Sequence, residues 1–281
     1  MSPSAAATPL PPREEAAWDE AAGAGPIVAV AAHDGHEVRP SLLPWLAITP
    51  EERRREEDPG TGAWARLAPT HLVARRSRFE VDLNRAPEKA VYRLPRDAWG
   101  LRVWRDELPE AEIEASLAIH TRFHARLREI LDRKIAEEGG FVLLDIHSYN
   151  HRRSGADEPP ADPAENPEID LGTESIDRAR WGALVDRFAA DLRAAPGRAA
   201  LDVRENVKFQ GGHLPRSTNA RAGGRGVAIA VELRKSYMDE WSGAIDPARA
   251  ARLGDALRAT FRGLEESLRA RLGPAAGSRG R

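Results

Sequence analysis

Four short stretches hold most of the side chains here that could bind a metal or move a proton: His33-Asp34-Gly35-His36-Glu37, Asp82-Leu83-Asn84-Arg85, Asp145-Ile146-His147-Ser148 and Glu232. The chain has no cysteine, which excludes disulfides, thiolate ligands and a cysteine nucleophile together. Any metal must therefore use His, Asp or Glu. A catalytic zinc site takes three nitrogen or oxygen ligands and keeps one position for water, whose pKa the ion lowers toward about 7. Two ligands three or four residues apart on one loop, plus a third from a distant segment, make such an open tripod. One His at a strand end is more often structural, but several ligand-bearing strand ends in one chain point to a site.

Each stretch follows an apolar run. Phe141 to Tyr149 (FVLLDIHSY), preceded by Gly139-Gly140, reads as a strand buried on both faces. Ile27 to Ala32 discharges into the HDGHE loop, and Val227 to Leu233 carries Glu232 near its end. His71 to Ala74 and Phe79 to Leu83 read as a third strand region that stops at Asn84-Arg85 before Pro87. The carboxyl ends of strands are where open α/β sheets place ligands.

Helices must carry the chain between these strands. Ile113, Leu117, Phe123, Leu127, Leu131 and Ile135 recur near a 3.6 period from Pro109 to about Glu138. Ser175 to Ala195, closed by Pro196-Gly197, and Pro247 to Leu272 repeat the pattern. Leu201 to Phe209 reads as a further strand, and Gly211 to Arg216 as a flexible turn. The charged run Glu51 to Asp58 reads as a solvated helix face running into a turn at Asp58-Pro59-Gly60. Residues 150 to 169 form a polar, Pro-rich loop, long for a compact domain unless it covers a site.

This alternation predicts a three-layer α/β sandwich around a mixed, largely parallel sheet. One domain is expected over residues 25–273, with a C-terminal tail at 274–281. Residues 1–24 read as a mobile tail with at most a short helix around Glu14 to Ala22.

With 42 basic and 44 acidic residues there is no global field to draw a nucleic acid or a membrane, so an anion site has to be local. No apolar run approaches the roughly 18 residues of a membrane span, and secretory features are missing from the N-terminus. A cytoplasmic protein with a small-molecule partner is expected.

In order along the chain, these motifs resemble the zinc carboxypeptidase superfamily: a metal-binding loop at His33, Asn84-Arg85, Asp145-Ile146-His147-Ser148 and a late Glu232. The closer resemblance is to its N-formylglutamate amidohydrolase branch. It rests on the H-x-G loop, the Val81 to Glu88 stretch, the Phe209 to His213 turn and the strand running through Glu232 to Tyr237-Met238-Asp239. It covers roughly residues 26 to 272. It implies a phosphorylase/hydrolase-like, zinc carboxypeptidase-like fold. One departure matters: the superfamily pattern wants Glu three residues after the first His, where this chain has His36, with Glu37 one step later. The expected metal ligands are His33, His36 and His147, with Glu37 as the alternative ligand or as a group orienting one. The ion implied is Zn2+ or another divalent transition metal.

The resemblance implies amide hydrolysis, with Glu232 as general base and Arg85 as the second catalytic residue. Arg85 with Asn84 would clamp a substrate carboxylate, guanidinium groups being suited to bidentate pairing. Arg153 and Arg216 are further clamp choices, each equally readable as solvated surface, and Gly211 and Gly212 would let backbone approach the substrate. The leading substrate is N-formylglutamate, cleaved to formate and glutamate at the end of a histidine-degradation route. Two alternatives stand beside it, a carboxypeptidase-like or other N-acyl amino acid hydrolase and a non-catalytic metal-binding relative. His120 and His124 lie four apart on the long helix, but no Glu follows His120 as H-E-x-x-H requires. They read as supporting residues.

Overall fold

In the computed structural model, which describes residues 16–194 and 200–273, the three apolar runs that precede His33, carry His147 and carry Glu232 become adjacent strands. The strands are β1 (Trp18–Ala22), β2 (Ile27–Ala31), β3 (Thr70–Ala74), β4 (Phe141–Tyr149), β5 (Ile169–Gly172), β6 (Val203–Glu205) and β7 (Gly226–Arg234). The helices are α1 (Pro50–Glu56), α2 (Thr61–Ala65), α3 (Glu110–Glu138), α4 (Arg178–Arg193), α5 (His213–Arg221) and α6 (Pro247–Leu272).

Among the described residues the strands form one sheet in the order β1-β3-β2-β4-β7-β5-β6. The β3-β2-β4-β7 centre and the β5-β6 pair are parallel, while β1-β3 and β7-β5 are antiparallel. The sheet is mixed and largely parallel, as expected. Successive strand residues point to opposite faces, and both faces here are apolar. Leu144, Ile146, Ile229 and Val231 pack with Trp64, Phe188 and Leu257 of α2, α4 and α6. Val28, Val30, Leu143 and Ala228 pack on the other side with Phe123, Leu127 and Ile130 of α3 and Leu214 of α5. Burying each such large side chain is worth about 1.5–3 kcal/mol. α3 stops at Gly139, whose φ of 80° is the left-handed conformation that releases the chain into β4.

Four local readings differ. Trp18–Ala22 is an edge strand, not tail or helix, and pairs with β3 from Trp18↔Ala74 to Ala22↔Thr70. Phe79 to Leu83 is not a strand: the amides of Glu80 and Val81 turn back onto the Ser77 carbonyl. The strand expected from Leu201 shrinks to Val203–Glu205 because the amides of Val207, Lys208 and Phe209 wrap the Asp170 carboxylate. The turn expected at Gly211 to Arg216 enters α5 at His213. Pro196-Gly197, residues 1–15 and residues 274–281 lie outside the described residues. Among the described residues no helix is long and apolar enough to cross a membrane.

The edge strand is tied to α3 by Arg126, whose Nη2 and Nε donate to Glu20 Oε1 at 2.7 and 3.0 Å. Burial raises the Glu20 pKa, but hydrogen bonds from Arg126 and the Trp18 indole outweigh it and bring the group below its ordinary 4.5. A depressed carboxylate stabilises the fold above its unfolded pKa and loses that contribution as pH falls through the folded value. Glu20→Gln should therefore cost about 1 kcal/mol at neutral pH. Urea midpoints measured across pH should show the gap to the parent closing below 4.5.

Candidate active site

The C-terminal ends of β2, β4 and β7 lie side by side, so residues remote in sequence meet there. His33 follows β2 directly. His147 on β4 stands opposite Glu232 on β7 in the parallel register. Alternation places Asp145 and His147 on the face of Leu143, the α3 side of the sheet.

Both histidines are held from behind by carboxylates. His33 Nε2 lies 2.7 Å from Asp82 Oδ1, and His147 Nε2 lies 3.0 Å from Asp145 Oδ2. A carboxylate only accepts, so with an ion bound Nε2 would carry the proton in each ring and Nδ1 would turn its lone pair to the ion. The two Nδ1 atoms converge on Asp58 Oδ2, at 3.4 Å from His33 and 3.0 Å from His147. One donor atom from each of His33, Asp58 and His147 lies within 4.8 Å of the other two. His33 Nδ1 is buried without a hydrogen-bond partner. Two ring nitrogens and a carboxylate oxygen turned to one point, with carboxylates fixing both rings, fit a divalent transition metal.

Electrostatics reinforce the arrangement. Burial works against ionised Asp58, yet the hydrogen bond to His147 and the nearby His33 ring hold it well below the usual carboxylate range. Asp82 is likewise held low, burial being outweighed by His33 and Arg78. Glu232 is the exception: burial pushes it up to about 8, with His147 only partly opposing. A buried carboxyl raised into the neutral range is suited to exchanging a proton there.

Asp58 is the candidate ligand that sequence reasoning missed. It ends the charged run read as a solvated face, yet Arg53, Glu56, Glu57 and Asp58 are all buried. Its backbone is fixed on several sides. The Asp58 amide donates to the His33 carbonyl at 2.9 Å. Lys235 Nζ donates to the Glu57 and Arg55 carbonyls, both at 2.6 Å, and the Tyr237 hydroxyl donates to the Pro59 carbonyl at 2.7 Å. Asp34 accepts the Gly60 amide at 2.9 Å. The usable signal was the departure at His36, where the superfamily pattern has Glu.

The structure does not bring His36 or Glu37 to the His33–His147 pair. Their backbone pairs instead with the segment after β3: the Glu37 amide donates to Arg75 and its carbonyl accepts from Ser77, at 2.9 and 2.7 Å. A Cβ on Gly35 would sit 2.3 Å from the Arg75 carbonyl carbon, so this close pairing depends on glycine. His36 Nδ1 then meets Glu57 Oε2 at 2.5 Å, and Glu37 pairs with Arg75 at 2.8 Å.

His33, Asp58, His147 and Glu232 open on a cavity of about 350 Å³ that Asn84, Arg85, Arg153, Gly211 and Gly212 also line. Arg85 lies over the Tyr92 ring at 4.5 Å, with Asp82 no nearer than 3.5 Å. Its guanidinium is thus placed chiefly by an aromatic face, at the edge of the cavity. Arg153 is half exposed and spends its guanidinium on Glu56 at 2.9 Å. Arg216 does not line the cavity: it pairs with Glu174 and donates to the Gly211 carbonyl. Gly212 has a steric role, since a Cβ there would meet the Asn84 amide at 2.4 Å. Trp99, Lys208 and Lys235 line the cavity too, and no local motif marked them.

The comparisons with known proteins agree with this geometry. The family model described as N-formylglutamate amidohydrolase matches residues 25–238, most of the chain. Among solved structures, the N-formylglutamate amidohydrolase from Ralstonia eutropha JMP134 superposes with a TM-score of 0.71 at 20% identity, covering 90% of this chain and 98% of that one. A gene product from Agrobacterium tumefaciens gives 0.62 at 22% identity, covering 90% and 97%. No curated protein matches. The mixed sheet, the strand-end triad and the family match lead to one conclusion: the chain belongs to the N-formylglutamate amidohydrolase family.

Proposed function

We propose that this protein is a metal-dependent amidohydrolase that cleaves the amide of a small N-acyl amino acid, with N-formylglutamate as the leading substrate and zinc as the leading metal. The convergence of His33 Nδ1, His147 Nδ1 and Asp58 Oδ2 beside Glu232 carries the reading. A divalent ion held by these three groups would supply Lewis acidity toward the acyl carbonyl and acidify water.

The remaining chemistry belongs to the chain. Glu232 takes the proton of the attacking water and passes it to the departing amine, so one carboxylate serves as base and then as acid. Arg85 binds the carboxylate of the amino-acid half and, with Asn84, fixes the scissile bond relative to Glu232. Lys208, which also lines the cavity, offers positive charge for a second carboxylate, which suits a glutamate-type substrate.

The test couples metal analysis to formate release from N-formylglutamate, N-formylaspartate and an uncharged N-formyl analogue. Turnover that survives complete removal of metal by a chelator sinks the reading. A substrate clamp at Arg85 further predicts that Arg85→Ala raises KM for N-formylglutamate by roughly 10-fold or more, the worth of a charged hydrogen bond. The diamide should feel this much less, and an equal effect on both removes the clamp.

A further inference from the structure

Behind the Asp82–Arg85 segment, on the side away from the triad, three histidines cluster. His120 and His124 sit one turn apart on α3 with ring centroids 4.3 Å apart, and the His213 ring at the start of α5 is 5.7 Å from that of His124. His124 Nε2 lies 2.9 Å from the Leu83 carbonyl and His120 Nε2 lies 2.8 Å from the Arg85 carbonyl. The carbonyl between them, on Asn84, accepts the His213 backbone amide at 3.1 Å. Three consecutive carbonyls are thus each held by a donor from outside the segment.

Three side chains of the same segment, those of Asp82, Asn84 and Arg85, face the other way, while Leu83 packs against α3. Asp82 fixes His33, Asn84 Nδ2 donates to Asp145 at 3.2 Å, and Arg85 reaches the cavity. A carbonyl can only accept, so both imidazoles must hold their proton on Nε2. Burial lowers the pKa of both rings, that of His124 to about 4, with His120 adding to the effect, so neither ring gains a second proton at neutral pH. A cavity of about 300 Å³ lies behind the rings, lined by His120, His124, His213, Leu127 and Phe141 among others. Leu83 packs beside it against Phe123 and Leu127, but the backbone around Arg85 borders this open space and leans on the hydrogen bonds.

We infer that His120 and His124 are positioning residues that hold the backbone of Leu83–Arg85 from behind and so set the places of Asp82, Asn84 and Arg85 at the metal ligands and the substrate. The inference rests on the proposed function for its catalytic consequence, but its structural content does not. Groups behind metal ligands are typically worth 10- to 100-fold in affinity or activity, and small displacements of positioning residues have comparable cost.

The test compares His120→Leu/His124→Leu, of similar bulk but without donors, with His120→Gln/His124→Gln, whose amides can still donate. In the Leu pair, zinc affinity by chelator competition should fall about 10-fold or more. Hydrogen exchange over residues 83–86 should quicken, and kcat on N-formylglutamate should drop, while the Gln pair recovers most of each. A Leu pair that lowers only the thermal midpoint, leaving zinc affinity and exchange at parental values, overturns the inference. If the double variant does not fold, His124→Leu alone decides by the same measurements. A parent enzyme that turns over no N-acyl amino acid would sink the proposed function, and zinc affinity and exchange would still decide the role of the histidines.

Discussion

Glu232→Gln should bind metal as the parent does and lose turnover by about a thousandfold, within the range spanned by general acid–base catalysis. The substitution keeps the shape of the side chain on β7 and removes only the ability to take a proton. Glu232 interacts with His147 by charge, so the change keeps the packing while removing that charge. Metal content after dialysis, far-UV circular dichroism and formate release together separate the outcomes. Activity within a few-fold of the parent would remove Glu232 from the mechanism.

Asp58→Ala should lower metal affinity by more than about 100-fold, beyond the effect usual for groups behind the ligands. His36→Ala and Glu37→Ala should leave the metal stoichiometry unchanged. The contrast follows from geometry: Asp58 Oδ2 meets both Nδ1 atoms, whereas His36 is committed to Glu57 and Glu37 to Arg75. Chelator competition on the three variants measures it. If the His36 variant loses the ion and the Asp58 variant keeps it, the third ligand belongs to the HDGHE loop. Because Asp58 is buried beside two imidazoles, its removal should also destabilise the metal-free protein, by leaving His147 Nδ1 without its partner.

The strands around the site were legible because an apolar run that ends in polar ligands within nine residues is too short for a buried helix and too apolar for a surface loop. Phe141–Tyr149 emerged at the expected bounds, and Gly226–Arg234 placed Glu232 opposite His147. Asp58 was not legible, because a charged run reads as solvated unless tertiary contacts bury it, and the contacts that bury this one come from Lys235 and Tyr237. The order of residues in the HDGHE loop suggested a second ligand there. Its backbone instead pairs with the segment after β3, a long-range choice that spacing alone does not encode. Phe79 to Leu83 failed as a strand for a similar reason, its amides being spent on a local turn and on Ala90. Trp18–Ala22 joined the sheet through an edge pairing that its composition does not announce.

The contacts of Lys235 and Tyr237 bear on how the site could move. These residues leave β7 just after Glu232 and grip the carbonyls on either side of Asp58, at Glu57 and Pro59. Glu232 and Asp58, far apart in the sequence, are therefore tied to the exit of one strand. A substrate that pulls on either would move both, so any opening of the site has to come from other walls, such as those carrying Trp99 and Arg153.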